Sequence, residues 1–114
     1  MHGAGVDCID VEAAERLGIQ VTNAADANSG SVAEFTLGLI LSLAKKLPQS
    51  RDGLRKEGWS IRPQISTFDL EGKTLGVLGM GRSALAVARK ASYGFGMKVL
   101  GYRRNLPGDI CADY

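Results

Sequence analysis

Six consecutive residues, Gly79-Met80-Gly81-Arg82-Ser83-Ala84, carry the clearest chemical signal in this chain. Glycine at the first and third positions of a turn exposes backbone amides that no Cβ shields. At the start of a helix those amides also share the positive end of the helix dipole. Such a junction suits a diphosphate. Gly79 would permit the tight turn, and Gly81 would let the backbone approach the phosphates. Ala84 would take the position where helix and strand pack closely and Gly or Ala is usual. Arg82 is placed to add charge near the phosphates or to point into solvent, and Ser83 can donate a hydrogen bond. Alone, the spacing G-x-G-x-x-A is a weak signal, and a purely steric turn is the alternative.

What gives the turn meaning is its setting. Thr74-Leu75-Gly76-Val77-Leu78 is a short apolar run that predicts a strand buried on both faces of a parallel sheet. Leu85 to Tyr93 has helical spacing, Gly94-Phe95-Gly96 closes that helix, and Met97 to Tyr102 predicts a second strand. Strand, glycine turn, helix and strand in this order are the context that a dinucleotide-binding unit demands. The end of the second strand then bears on the cofactor. It runs into Tyr102-Arg103-Arg104-Asn105, with no acid before Asp109. An acid there would bond the ribose 2′-hydroxyl of NAD, whereas Arg103 and Arg104 can hold the 2′-phosphate of NADP through charge-assisted bonds. NADP is therefore preferred, with NAD as the alternative in which both arginines are merely solvated.

Upstream, Asp10 is predicted to cap a short helix over Val11 to Leu17, closed by Gly18. Ile19, Val21 and Thr22 read as a brief strand ending in the polar loop Asn23 to Asn28. Ser31-Val32-Ala33-Glu34 fits a capping box, which also accounts for Glu34 without a catalytic role. Apolar residues from Phe35 to Leu47 surround most of the next helix, as in a helix buried on more than one side. Lys45 and Lys46 suit its C-terminal end and Pro48 is expected to stop it. A polar helix is expected from Gln49 to Glu57, with its tail at Gly58 and Trp59, and Ile61 to Phe68 reads as an irregular connection. Trp59 and Tyr93 read as covers for apolar surface rather than as stacking partners of a nicotinamide.

Bulk properties bound the function classes. The 114 residues suffice for one small domain. Forty-five per cent hydrophobic and 23% charged residues, with mean hydropathy −0.02, exclude disordered and fibrous classes. The formal charge of +2 is spread along the chain, which gives a nucleic-acid partner no support. Phe35 to Ala44 is too short and too interrupted to span a membrane. Met1 is followed by neither a basic nor an apolar leader, so the expected location is the cytoplasm. Cys8 and Cys111 have no second Cys or His at ligand spacing, so no metal is expected and both are expected to be reduced thiols.

Several segments together resemble the D-isomer-specific 2-hydroxyacid dehydrogenases, in the right order and across nearly the whole chain. His2 to Asp10 looks like the end of that family's substrate domain. Val21-Thr22-Asn23-Ala24 with Asn28 to Glu34 looks like the crossover into its long interdomain helix. Leu70 to Arg82 and Phe95 to Val99 resemble the opening of its cofactor domain. Two departures stand out: Ser83-Ala84 replaces the usual aliphatic residue and Gly, and one extra residue lies around Ser92 to Gly94. The resemblance implies an α/β fold: a partial Rossmann domain (a doubly wound parallel sheet) binding NAD(P), preceded by the end of the substrate domain. Residues 1–28 would be that end and the crossover. Residues 29–114 would be the interdomain helix and the first half of the NAD(P)-binding domain.

The implied activity is hydride transfer between a nicotinamide cofactor and a small 2-hydroxy or 2-oxo acid. The family's catalytic Arg, Glu and His would lie beyond the second strand, so no residue here is assigned a catalytic role and the chain is expected to be an inactive fragment. His2 corresponds to a substrate-domain loop. The resemblance further implies a homodimer through the helix at residues 31–47. Two alternatives stay open: a non-catalytic NAD(P)-sensing or corepressor-like module, and a non-functional truncated product.

Overall fold

A computed structural model describes residues 5–25 and 27–104. Chain order is α1 (Val11–Arg16), α2 (Ser29–Ala44), α3 (Leu47–Glu57), a 3₁₀ segment (Gly58–Gln64), β1 (Thr74–Leu78), α4 (Arg82–Phe95) and β2 (Lys98–Tyr102). The two strands form one parallel sheet in unshifted register, from Thr74 opposite Lys98 to Leu78 opposite Tyr102. Bonds just outside the strands extend the ladder. The Lys98 amide donates to the Lys73 carbonyl at 2.9 Å, and the Gly79 amide to the Tyr102 carbonyl at 2.8 Å.

The α4 crossover packs on both strands, and α2 packs on α4. Small side chains make that second contact close: Ala33 and Ala44 of α2 and Ala88 and Ala91 of α4 are buried. Leu37, Leu70 and Met97 complete the core, with Ile40, Leu41, Leu75, Phe95 and Val99 packed against it. An ion pair from Glu34 to Lys90, at 3.2 Å, spans α2 and α4 at the surface. Past the 3₁₀ segment the chain returns along the end of α2. There the Phe68 amide donates to the Ala44 carbonyl at 3.2 Å, and Lys45 pairs with Asp69.

Several sequence expectations are met. Asp10 caps α1, its carboxylate accepting the Ala13 amide at 2.8 Å. Gly18 closes that helix with φ +68°, a backbone conformation that favours glycine. The helix at α3, both strands of the β–α–β unit and its helix also form.

Other expectations are corrected. No strand forms at Ile19 to Thr22. The Ile19 amide instead donates to the Ala14 carbonyl at 2.8 Å while Gly18 donates to Glu15, which is a helix-closing pattern that withdraws Ile19 from sheet pairing. The capping box at Ser31 and Glu34 is not used, because α2 begins at Ser29 with Asn28 ahead of it. Ser31 therefore falls inside the first turn, and Glu34 reaches Lys90 instead.

Pro48 does not stop α2. That helix ends at Ala44, Lys46 takes a left-handed φ of 49°, and Pro48 sits in the first turn of α3, where its missing N–H costs nothing. Part of the connection expected to be irregular winds as 3₁₀ helix through Gln64. Ser92 to Gly94 lie within α4, which runs from Arg82 to Phe95. Neither β1 nor α2 is covered as fully as its composition predicts. Leu75 and Val77 are half-buried but Leu78 is 88% exposed, and α2 leaves Phe35 70% and Leu43 77% exposed. One helix layer covers one face of a two-stranded sheet, so the opposite faces have no cover among the described residues.

Two measurements probe this packing. Gly38 lies inside α2 with open space where a Cβ would go. Gly38→Ala should therefore stabilise the chain by about 0.5–1 kcal/mol through helix propensity. Gly53 lies inside α3, but there a Cβ would fall 2.5 Å from Ile61 Cγ1. Gly53→Ala should lower the thermal midpoint as it forces α3 and the 3₁₀ segment apart, and a rise there would refute the packing.

The second measurement concerns Asp69, whose carboxyl the Lys45 ammonium holds below its ordinary value of 3.8, first by hydrogen bonding and then by charge. A carboxyl depressed in the folded state contributes stability above its unfolded value and loses it as pH falls through the folded value. Wild type should accordingly melt above Asp69→Asn at neutral pH. The two should converge below pH 3.8, and salt should narrow the gap because the pair is exposed.

Candidate cofactor-binding turn

The predicted junction forms where β1 gives way to α4. Gly79 has φ +91°, and its amide is spent on the Tyr102 carbonyl of β2. Gly81 is extended, with φ −83° and ψ −176°, and its carbonyl accepts the Leu85 amide at 2.9 Å as the opening bond of α4. Arg82, Ser83 and Ala84 therefore make up the first turn of that helix, whose leading amides have no intrahelical acceptor. No side chain caps it and no acid lies in the turn. At α1, by contrast, the chain supplies Asp10 as cap and Glu12 in the first turn.

The space beside the turn is open. A Cβ built on Gly79 or on Gly81 would meet nothing within 4 Å. Arg82 is exposed, while Ser83 and Ala84 are half-buried as α4 turns toward the sheet. Open space, unshielded amides and a positive dipole end fit a diphosphate group on physical grounds.

Arg103 and Arg104 are exposed and directly follow Tyr102. Because Tyr102 accepts the Gly79 amide, these arginines leave the sheet beside the point where the turn leaves it. The fold thus brings Gly79, Gly81, Arg82, Ser83 and Ala84 to one junction, and Arg103 and Arg104 adjoin it through the backbone. Sequence reasoning passed over Gly101, whose place inside β2 was the available signal, since glycine within a strand often marks a close approach.

Other features lie apart from the turn. An apolar groove of about 670 Å³ runs between α2 and α4, with Leu37, Leu41, Tyr93 and Phe95 among its walls. Tyr93 lines that groove rather than the glycine turn. Trp59 is exposed and lies beneath the Arg62 guanidinium, 5.8 Å from ring centroid to carbon. Cys8 is a free, exposed thiol, while Cys111 and His2 lie outside the described residues. Among the described residues no group of three His, Cys, Asp or Glu could hold a metal, and no helix is long and apolar enough to cross a membrane.

Known proteins share this arrangement. The family described as D-isomer specific 2-hydroxyacid dehydrogenase, NAD binding domain, matches residues 37–113. The chain belongs to that family. Its β1–α4–β2 unit, with the glycine turn at the first junction, belongs to a Rossmann-like NAD-binding domain of the 2-hydroxyacid dehydrogenases.

Among curated members of the family, D-3-phosphoglycerate dehydrogenase of Methanocaldococcus jannaschii is 46% identical over 108 residues, covering 95% of this chain but 20% of that protein. The chain thus spans about a fifth of that relative's length. Two solved structures of this dehydrogenase family are also similar. D-lactate dehydrogenase of Aquifex aeolicus, in complex with NAD and lactic acid, aligns with a TM-score of 0.77 at 37% identity, over 94% of this chain and 32% of that one. The NADPH-dependent glyoxylate/hydroxypyruvate reductase of Sinorhizobium meliloti, in complex with NADP and malonate, aligns with a TM-score of 0.71 at 33% identity, over 96% and 34%.

Proposed function

We propose that this chain binds a nicotinamide dinucleotide at residues 79–84 for a dehydrogenase that interconverts 2-hydroxy and 2-oxo acids. The single observation that carries the reading is the open, uncapped, acid-free start of α4 directly after a parallel strand. In this reading the backbone amides of Ser83 and Ala84 and the side chains of Arg82 and Ser83 hold the diphosphate, while Gly79 and Gly81 keep the approach clear. The cofactor would carry the hydride, and the chain's part is to bind and orient it. Residues 1–28 are read as the end of the substrate domain and the crossover, and residues 29–114 as the interdomain helix with the first half of the cofactor domain. No acid–base residue is assigned, since the chain's one histidine, His2, precedes α1. The reading places the protein in the cytoplasm, with a small hydroxy acid as the substrate of the full enzyme.

NADP is the preferred cofactor. Its support is the exposed pair Arg103–Arg104 at the end of β2, with no acid before Asp109 to bond a ribose 2′-hydroxyl. The related structures include both an NAD and an NADP complex, so the preference rests on these side chains. Titration of intrinsic NADPH and NADH fluorescence should show tighter binding of NADPH. Replacing both arginines by Ala should weaken NADPH at least tenfold, about the size of one charge-assisted bond, and leave NADH within about threefold. Equal affinities in the wild type would remove the arginine argument. Gly81→Val, which places a branched side chain over the turn, should abolish binding of both.

The same reading makes the protein a homodimer through α2. Val32, Phe35, Leu39 and Leu43 are exposed at helical spacing on one face, and burying a large apolar side chain gains about 1.5–3 kcal/mol. The thermal midpoint should therefore rise with protein concentration, as it does when association and folding are linked. Phe35→Glu with Leu43→Glu should give a monomer by sedimentation. A concentration-independent melt of a wild-type monomer would exclude this dimer.

A further inference from the structure

Between the two glycines of the turn stands Met80, and its side chain folds inward onto β2. A Cβ built on Gly101 would fall 2.5 Å from the Met80 Sδ, 2.9 Å from its Cγ and 3.0 Å from its Cε. Side chains do not tolerate approaches that short, so nothing larger than glycine fits at 101 while Met80 keeps its place. Backbone freedom is not the reason for this glycine, because Gly101 is absent from the described glycines with positive φ. It lies within the β2 ladder opposite Val77, one residue before Tyr102. Consecutive residues of β2 therefore fasten the turn twice: Gly101 receives the Met80 side chain, and the Tyr102 carbonyl accepts the Gly79 amide at 2.8 Å. The glycines of the site divide accordingly. A Cβ at Gly79 or Gly81 would meet no residue beyond the chain neighbours, whereas the lack of one at Gly101 leaves room for the one bulky residue between them.

We propose that Gly101 is a positioning residue for dinucleotide binding: by lacking a side chain it seats Met80 on β2 and so keeps that side chain out of the open space beside Gly79 and Gly81. The inference rests on the reading of residues 79–84 as the diphosphate site. A methyl group at 101 evicts Met80. Methionine is unbranched and readily changes rotamer, so the fold survives the eviction. The displaced side chain then has the open side of the turn to enter, where it competes with the phosphates. Affinity is lost more than stability, which distinguishes a positioning role from a structural one.

The test compares wild type, Gly101→Ala and the double variant Met80→Ala/Gly101→Ala by NADPH fluorescence titration and thermal melting. Gly101→Ala should bind NADPH about tenfold more weakly, the size of one lost bond to a charged group, with its melting midpoint within a few degrees of wild type. Truncating Met80 in the double variant should recover most of that affinity. Wild-type affinity in Gly101→Ala, or the same loss in both variants, would overturn the positioning role while leaving the diphosphate site intact. So would a collapse of the melting midpoint in both variants, which would make Gly101 a purely structural glycine. Failure of wild type to bind NADPH or NADH would instead overturn the reading of residues 79–84, and the role of Gly101 with it.

Discussion

The bond from the Gly79 amide to the Tyr102 carbonyl extends the parallel ladder one step past β1 and fixes where the glycine turn leaves the sheet. In a parallel pair both strands point the same way, so the bond also holds the end of β2 beside the start of α4. Everything chemical in the chain follows from that placement. α4 starts at that end of the sheet, and the residues after Tyr102 emerge next to it. Gly79 can make the bond because it reaches φ +91° without strain, a conformation costly for residues with a side chain. The alternation along the turn is then set by geometry: one amide is spent on the sheet, and the helix-leading amides have no intrahelical acceptor.

Around this junction the structure is thin. Its buried residues are alanines of α1, α2 and α4 together with Leu37, Leu70, Val87 and Met97. No large side chain is fully buried among the described residues. Alanines let the two helices approach closely, which strengthens their contact but buries little area per residue. Large apolar side chains remain on the outer faces instead: Phe35 and Leu43 on α2, Leu78 and Leu100 on the strands, Tyr93 on α4. A two-stranded sheet with one helix layer cannot cover both of its faces, and strand edges without partners invite pairing with other chains.

How much of this was legible from sequence depends on the range of the interaction that decides each element. β1, β2, α4 and the position of the turn between β1 and α4 are legible because their signals are local: an apolar run, a glycine at 79 that takes a positive φ, and helical spacing close behind. Asp10 and Gly18 were likewise legible as cap and terminator. Failures came where a longer-range partner or a competing bond decided the outcome. Ile19 has the composition of a strand, but its amide is taken by Ala14. Ser31 and Glu34 have capping-box spacing, yet Glu34 pairs with Lys90, fifty-six residues away. Pro48 signals a helix boundary in either direction, and the left-handed turn at Lys46 made it a beginning rather than an end. At Gly101 a glycine inside a strand signals a close approach, but the partner that imposes it, Met80 in the turn after β1, is set by the fold.

A site made of backbone amides tolerates changes that a site made of side chains would not. In the proposed site Ser83 and Ala84 illustrate this. Both residues occupy the first turn of α4 with their amides in helical positions, and Ala84, half-buried, is small enough for the helix to pack on the sheet. What the turn requires is absence: no Cβ at 79 or 81, no acid in the first turn, no capping side chain. Sequence variation is free wherever it respects those absences. Discrimination between cofactors cannot come from such a surface, because the diphosphate is common to NAD and NADP. It must come from groups that reach the ribose, and in the proposed reading those groups are Arg103 and Arg104, which follow β2. In the proposed reading affinity and selectivity therefore belong to different elements, the start of α4 and the end of β2, which the Gly79–Tyr102 bond holds side by side.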